Sequence, residues 1–214
     1  MSQVLVIDGH PHAASLCAAL AQAHAEGVRE GGATATVLAL RDLRFDPILR
    51  AGYNDHQPLE PDLQQAQALV DGARRIVVVA PVWWGSIPAL LKGFFDRVLE
   101  RGWAFRYLPN GRAEGLLAGR SARVIMTTDS PGYYLRLIQG DPTAKALVRS
   151  TLRFCGLAPV DMTRIGPVHR ADEGRRERWL AQVRAQGRDD AAKRLAMPSS
   201  PARARSSSGA ARVP

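Results

Sequence analysis

The sequence predicts an α/β fold, a doubly wound, five-stranded parallel sheet with helices on both faces. Two patterns predict it. Short apolar, often β-branched runs alternate with segments of helical period, five times in succession. The middle run, RIVVVA (Arg75 to Ala80), has no polar alternation, as expected of a central strand covered on both faces. At 214 residues the chain can bury a sizeable core in one domain.

Each element follows from a local signal. VLVID (Val4 to Asp8) is the first strand and ends in a Gly-His-Pro turn. From Ser15 the period becomes helical, with Leu16, Leu20 and Ala23 on one face and Gly31-Gly32 as the stop. TATVLAL (Thr34 to Leu40) is the second strand. The segment Arg41 to Asp62 carries Phe45, Pro47, Tyr53, Pro58 and Pro61, and reads as a functional or interface loop. Leu63 to Ala73 is a short helix before RIVVVA. Ser86 is placed to cap the next helix, with Pro88 in its first turn. There Ile87, Leu90, Leu91, Phe94, Phe95, Val98 and Leu99 make a stripe wider than one sheet face needs. ARVIMTT (Ala122 to Thr128) is the fourth strand, and Thr143 to Phe154 a helix stopped at Gly156. VDMTRIG (Val160 to Gly166) is the fifth strand. Glu173 to Ala185 is the last helix, with Trp179, Leu180 and Val183 facing inward.

Composition narrows the class. A chain with 46% hydrophobic and 23% charged residues is a globular protein. The net charge is +9, and Met197 to Pro214 holds Arg203, Arg205 and Arg212 with no acid; less those three charges, +6 remains on residues 1–196. We expect one domain over 1–196 and a disordered basic tail over 197–214. The other Arg residues are scattered without interleaved aromatics, which argues against nucleic-acid binding. Cys17 and Cys155 show neither CxxC nor metal-ligand spacing, so no metal site and a reducing, cytoplasmic setting are expected. No signal-peptide pattern opens the chain. Its longest near-apolar run, Ile76 to Gly85, is about half of the ~20 residues a membrane span needs.

Sheets of this kind bind ligands beyond the carboxyl ends of their strands. After the first strand, GHPHAAS (Gly9 to Ser15) is neither GxGxxG nor a P-loop. It leads into a helix N-terminus, where free N–H groups, the Ser15 hydroxyl, His10 and His12 suit a phosphate. After the third strand comes PVWWGS, and after the fourth TTDSPGYY, Thr127 to Tyr134. These loops are rich in aromatics and backbone donors, and the three together suit a planar ring on a phosphate tether. A helix end contributes about 0.3–1 kcal/mol to anion binding. Nanomolar retention needs about −12 kcal/mol, so most of it must come from contacts to the ring.

At this point the sequence resembles a known family. PVWWGSIPALLKGFFDRVL is similar to the signature of the flavodoxin-like NAD(P)H:quinone oxidoreductases. GHPHAASL, DLRFDPI, GWAFRY, TTDSPGYY with the later QGD, and RFCGL continue the likeness over nearly all of residues 4–187. The resemblance implies a non-covalent flavin, FMN or FAD, and two-electron ping-pong chemistry. NAD(P)H would give hydride to flavin N5, and a quinone-like flat acceptor would take it. By motif position His10, Ser15, Leu16 and Cys17 fall where the family holds the flavin phosphate. Pro81, Val82, Trp83, Trp84 and Gly85 fall on the isoalloxazine loop, with Thr127, Thr128, Asp129 and Gly132 opposite. Of the two tryptophans, Trp84 is expected on the flavin and Trp83 further out. Tyr133 takes the place of the active-site tyrosine, and Gln139 stands where mammalian members have a His. Gln139 can donate a hydrogen bond but cannot take up charge. The shorter loop, the Gln and the lack of the long C-terminal extension favour FMN over FAD. The family also implies a homodimer with active sites at the interface, and the wide Ile87 to Leu99 stripe and the 41–62 loop agree with it. Two other roles are compatible with the same site, a flavin electron carrier and a regulatory subunit of a membrane transporter.

Overall fold

A computed structural model of the protein describes residues 4–52 and 55–196. Tyr53 and the expected tail at 197–214 lie outside the described residues. In chain order the elements are β1 (Val4–Asp8), α1 (Leu16–Glu30), β2 (Ala35–Ala39), α2 (Pro61–Gly72), β3 (Arg75–Pro81) and α3 (Ala89–Val98). Then come β4 (Phe105–Tyr107), β5 (Ala113–Gly115), β6 (Ser121–Thr127), α4 (Pro142–Ala144), β7 (Val160–Ile165) and α5 (Glu173–Ala196). A π-helix over Lys145–Arg153 continues α4.

Five strands form one parallel sheet in the order β2-β1-β3-β6-β7. Val6 lies opposite Val37 on one side and Val77 on the other, and Val79 lies opposite Ile125. The chain starts in the sheet interior, steps to the β2 edge, then crosses back to β3. Connections therefore diverge between β1 and β3, which opens a crevice at their carboxyl ends. Alternation along β1 splits the core. Leu5 and Ile7 join Val78, Phe94 and Leu152 on one face, and Val4 and Val6 join Leu20, Val79 and Val183 on the other. All seven residues of β3 are buried, as the unbroken apolar run requires.

The structure corrects several boundaries. Ser86 does not cap α3; the helix begins at Ala89 with Pro88 as N-cap, and Ser86 pairs instead with Trp83. The wide α3 stripe is consumed within the protomer. Leu91, Phe94, Phe95 and Val98 are buried, and the 41–60 segment covers the helix from outside. Phe45 meets Phe94 edge to face at 6.3 Å, and a Cβ on Gly93 would lie 2.5 Å from the Pro47 carbonyl. Arg97, 1% exposed, ties that segment down by donating to the carbonyls of Asp46 and Pro58 and to the Glu60 carboxylate. The stripe thus offers no argument for a dimer. The helix expected over Thr143 to Phe154 is mostly a π-helix, and a short π-helical turn, Tyr134–Ile138, precedes it. The β4–β5 hairpin is too short to show a period in the sequence. α5 runs to Ala196 rather than Ala185, because Gly187 and Asp190 are held by tertiary contacts with α1 and the sheet.

Candidate active site

The site begins where β1 ends. The buried Asp8 carboxylate accepts the His10 N–H at 3.1 Å and pairs with Arg41 from the chain after β2. His10 Nδ1 accepts the N–H of His12 at 2.9 Å, which leaves Nε2 to carry the ring proton. Burial lowers the pKa of His10 despite the nearby Asp8, so the ring is a neutral donor. Ser15 caps α1: its Oγ accepts the Ala18 N–H at 3.1 Å and its carbonyl accepts the Ala19 N–H. The cap leaves the Leu16 and Cys17 N–H groups at the positive end of the helix.

Cys17 is buried, its sulfur 3.3 Å from Thr127 Oγ1, and burial pushes its thiol up to about 12. An uncharged thiol adds no repulsion toward an anion at this helix end. It should also resist alkylation in the folded protein at pH 8, because only the thiolate attacks. Mass spectrometry after iodoacetamide treatment tests this; modification of Cys17 at the rate of a free thiol in native protein would contradict the assignment.

The loop after β3 turns sharply. Trp83 and Ser86 exchange backbone hydrogen bonds of 2.9 and 2.8 Å, with Trp84 and Gly85 between them at φ 52° and 69°. Two successive positive φ angles mark a mirror-image hairpin turn, natural for Gly and strained for Trp by about 1–3 kcal/mol. The turn sends the two rings apart. Trp83 packs edge-on against His10, with centroids 5.4 Å apart, while Trp84 is fully exposed. Thr143 at the start of α4 donates to the Gly85 carbonyl at 2.6 Å and secures the turn.

Two joined clefts result. One, of about 330 Å³, is lined by His10, His12, Ser15, Leu16, Cys17, Pro81, Val82, Trp83, Thr127, Thr128, Asp129 and Val168. The other, of about 550 Å³, is lined by Val82, Trp84, Gly85, Thr128, Asp129, Ser130, Leu135, Gln139 and Pro142. Val82, Thr128 and Asp129 belong to both. Nearly every residue singled out in the sequence lies in these walls. Trp83 stands in the anion-side cleft and Trp84 in the other. Tyr133, 68% exposed, and Gly132 lie outside both linings. Tyr133 immediately precedes the π turn that carries Leu135 into the second cleft.

The loop after β7 is not among the segments expected at the site from the sequence, though the strand-end rule points to it. Its Val168 lines the first cleft. Thr128 N–H donates to the Ile165 carbonyl at 2.9 Å, and Val168 N–H donates to Thr128 at 3.2 Å. A Cβ on Gly166 would lie 2.1 Å from the Thr128 carbonyl, so the two loops lie in direct backbone contact.

The donor set fits a flavin nucleotide. One end offers two open helix N–H groups, a neutral imidazole donor and an uncharged thiol. The other is a broader cleft with Val82, Trp84, Leu135 and Pro142 beside the Thr128 and Gln139 side chains. The family model for Flavodoxin_2, described as a flavodoxin-like fold, matches residues 2–187. The chain belongs to this family.

Several relatives of this Flavodoxin_2 protein bear functional names. An uncharacterized NAD(P)H oxidoreductase of Haemophilus influenzae is 28% identical over 186 residues, covering 82% of this chain and 89% of its own. The ribosyldihydronicotinamide dehydrogenase [quinone] of Mus musculus is 30% identical over 184 residues, 73% of this chain and 79% of its own. An FMN-dependent NADH:quinone oxidoreductase of Coprothermobacter proteolyticus is 40% identical over 86 residues, 40% of this chain and 39% of its own. Among solved structures, the NAD(P)H:quinone oxidoreductase of Methanothermobacter marburgensis superposes with a TM-score of 0.73 at 25% identity. The superposition covers 88% of this chain and 99% of that one.

Proposed function

We propose that this protein is a flavin-dependent NAD(P)H oxidoreductase that reduces quinones or similar flat acceptors, with FMN as its cofactor. The observation that carries the reading is the pair of joined clefts, an anion end at α1 and a broad, partly apolar end at the Trp84 turn. The names of the relatives support it, and the FMN-dependent one favours FMN.

Bound flavin would supply the redox chemistry, taking hydride from NAD(P)H and passing it to the acceptor. The chain's own residues bind and orient. Leu16 and Cys17 N–H groups, with His10 Nε2–H, would hold the phosphate. Val82 to Gly85 and Thr128 to Ser130 would flank the ring; the N–H groups of Val82, Trp83, Thr128 and Ser130 are held within the protein, which leaves those of Trp84, Gly85 and Asp129 to stabilise charge developing on it. Gln139 can donate a hydrogen bond in the same cleft but cannot store a proton, so proton exchange falls to Tyr133 or solvent.

Two measurements test this. Purified protein should bind FMN, with a flavin visible spectrum; protein that is colourless and cannot be reconstituted with FMN would overturn the reading. Tyr133→Phe should slow quinone reduction by about tenfold to a hundredfold, at or below the lower limit of general acid–base contributions because the residue is exposed. An unchanged rate removes Tyr133 from proton transfer.

A homodimer completes the reading. Trp84, Tyr133, Leu137 and Ile138 expose apolar surface around the second cleft, which a second copy would cover. Sedimentation at micromolar concentration decides it. No helix among the described residues is long and apolar enough to cross a membrane. The cysteine usage, Cys17 and Cys155 without pairing or ligand spacing, supports a reducing, cytoplasmic setting.

A further inference from the structure

Asp129 is the one acid among the described residues lining either cleft, and it lines both. A carboxylate in the wall of an anion-binding cleft opposes the ligand unless its charge is offset. The offset comes from the loop after β7. Asp129 Oδ1 accepts the His169 backbone N–H at 2.7 Å and lies 3.0 Å from His169 Nδ1. His169 Nε2 in turn accepts Arg170 Nε–H at 3.0 Å, so the ring proton sits on Nδ1 and is donated to Asp129. A line of donors thus runs from a guanidinium through an imidazole to the carboxylate. These bonds hold the Asp129 pKa below the usual carboxylate range, chiefly through the His169 backbone N–H, so the acid stays ionised and needs its partner.

We propose that His169 is a positioning residue for the cofactor: backed by Arg170, it fixes Asp129 at the junction of the two clefts and offsets its charge there. The proposal rests on the flavin reading above. It differs from an ordinary surface ion pair, which contributes little, because the bond ties the loop that lines both clefts, through Thr128 and Asp129, to the loop that lines the first with Val168. His169 thereby acts on cofactor binding although it lines neither cleft.

The test is FMN titration by fluorescence quenching on full-length wild type, His169→Leu, His169→Asn, Asp129→Asn and the Asp129→Asn/His169→Leu double variant, with folding checked by circular dichroism. His169→Leu should raise the FMN Kd about tenfold, equivalent to ~1.4 kcal/mol. His169→Asn keeps an N–H near the Nδ1 position and should recover most of that loss. In the Asp129→Asn background His169→Leu should have little further effect, because the charge it serves is gone. An unchanged Kd in folded His169→Leu, no recovery in His169→Asn, or the same tenfold loss in the Asp129→Asn background would each overturn the proposal. Wild type that binds no FMN would overturn the flavin reading and this proposal with it, whereas wild type that binds and variants that match it would sink the proposal alone.

Discussion

Asp190→Ala is expected to destabilise the protein by about 3–5 kcal/mol, the range for breaking a buried ion pair from one side. Asp190 is fully buried on the α1/α5 side of the sheet. It accepts from Arg123 Nε at 2.6 Å and Nη2 at 2.8 Å, lies 3.1 Å from His24 Nε2, and pairs with Arg75 at 2.9 Å. Without it the two buried guanidinium groups keep the Ser121 and Thr163 hydroxyls but, among the described residues, only Asp161 as an ion-pair partner, which is partly exposed and already shared with Lys193. For a chain of this size the loss corresponds to a Tm lower by roughly 6–20 °C. Thermal melts at pH 7 measure it, and a shift under 2 °C would refute the assignment.

The same cluster sets an acid limb. Burial would raise the Asp190 pKa, but the hydrogen bonds from Arg123 and His24 outweigh it and hold the pKa well below the usual range. Its stabilisation is therefore present above the unfolded value of about 3.9 and lost as pH falls below it. His24 is held neutral, because burial lowers its pKa despite Asp190. An unfolded His takes up a proton near 6.5, so stability begins to decline already as pH drops below that point. Urea midpoints from pH 8 to 3 should fall in two stages, and His24→Gln should flatten the upper one.

Gly27→Ala carries the second large effect. A Cβ on Gly27 would lie 1.9 Å from the Arg184 carbonyl oxygen, and one on Gly187 would lie 2.3 Å from that of His24. α1 and α5 therefore cross backbone to backbone, and no side-chain rotation relieves the clash. Alanine would gain about 1 kcal/mol of helix propensity. Overpacking typically costs about 1–3 kcal/mol and lies at or above the top of that range here, so a net loss of about 2 kcal/mol is expected. The helices must part, and α1 carries the N–H groups of the anion end, so FMN affinity should fall together with stability. Gly174→Ala is the control. Its nearest neighbour atom would be 3.6 Å away, and the change should be neutral or slightly stabilising. Equal melting of wild type and Gly27→Ala would show that the crossing is looser than described.

Much of the candidate site was legible because strand ends are marked locally. An apolar run, a turn residue and a helix start occur within a few positions, so His10 to Cys17, Pro81 to Gly85 and Thr127 to Asp129 could be found without coordinates. The loop after β7 carries equally plain strand-end marks, yet its role was missed, because nothing nearby in the chain tells His169 that Asp129 is 40 residues earlier. Trp84 shows the same divide. Its neighbours announce a turn, but only the Trp83–Ser86 pairing and the Thr143 bond to Gly85 force its positive φ.

The sequence by itself determined the fold class, the five strands of the parallel sheet and the loops that follow them, since periodicity and turn chemistry act over a few residues. Tertiary structure alone decided where α3 starts, how far α5 runs, which face absorbs the wide apolar stripe, and which loop holds Asp129. Those outcomes depend on burial and charge pairing between residues far apart in the chain, and such energies exist only once the chain has folded.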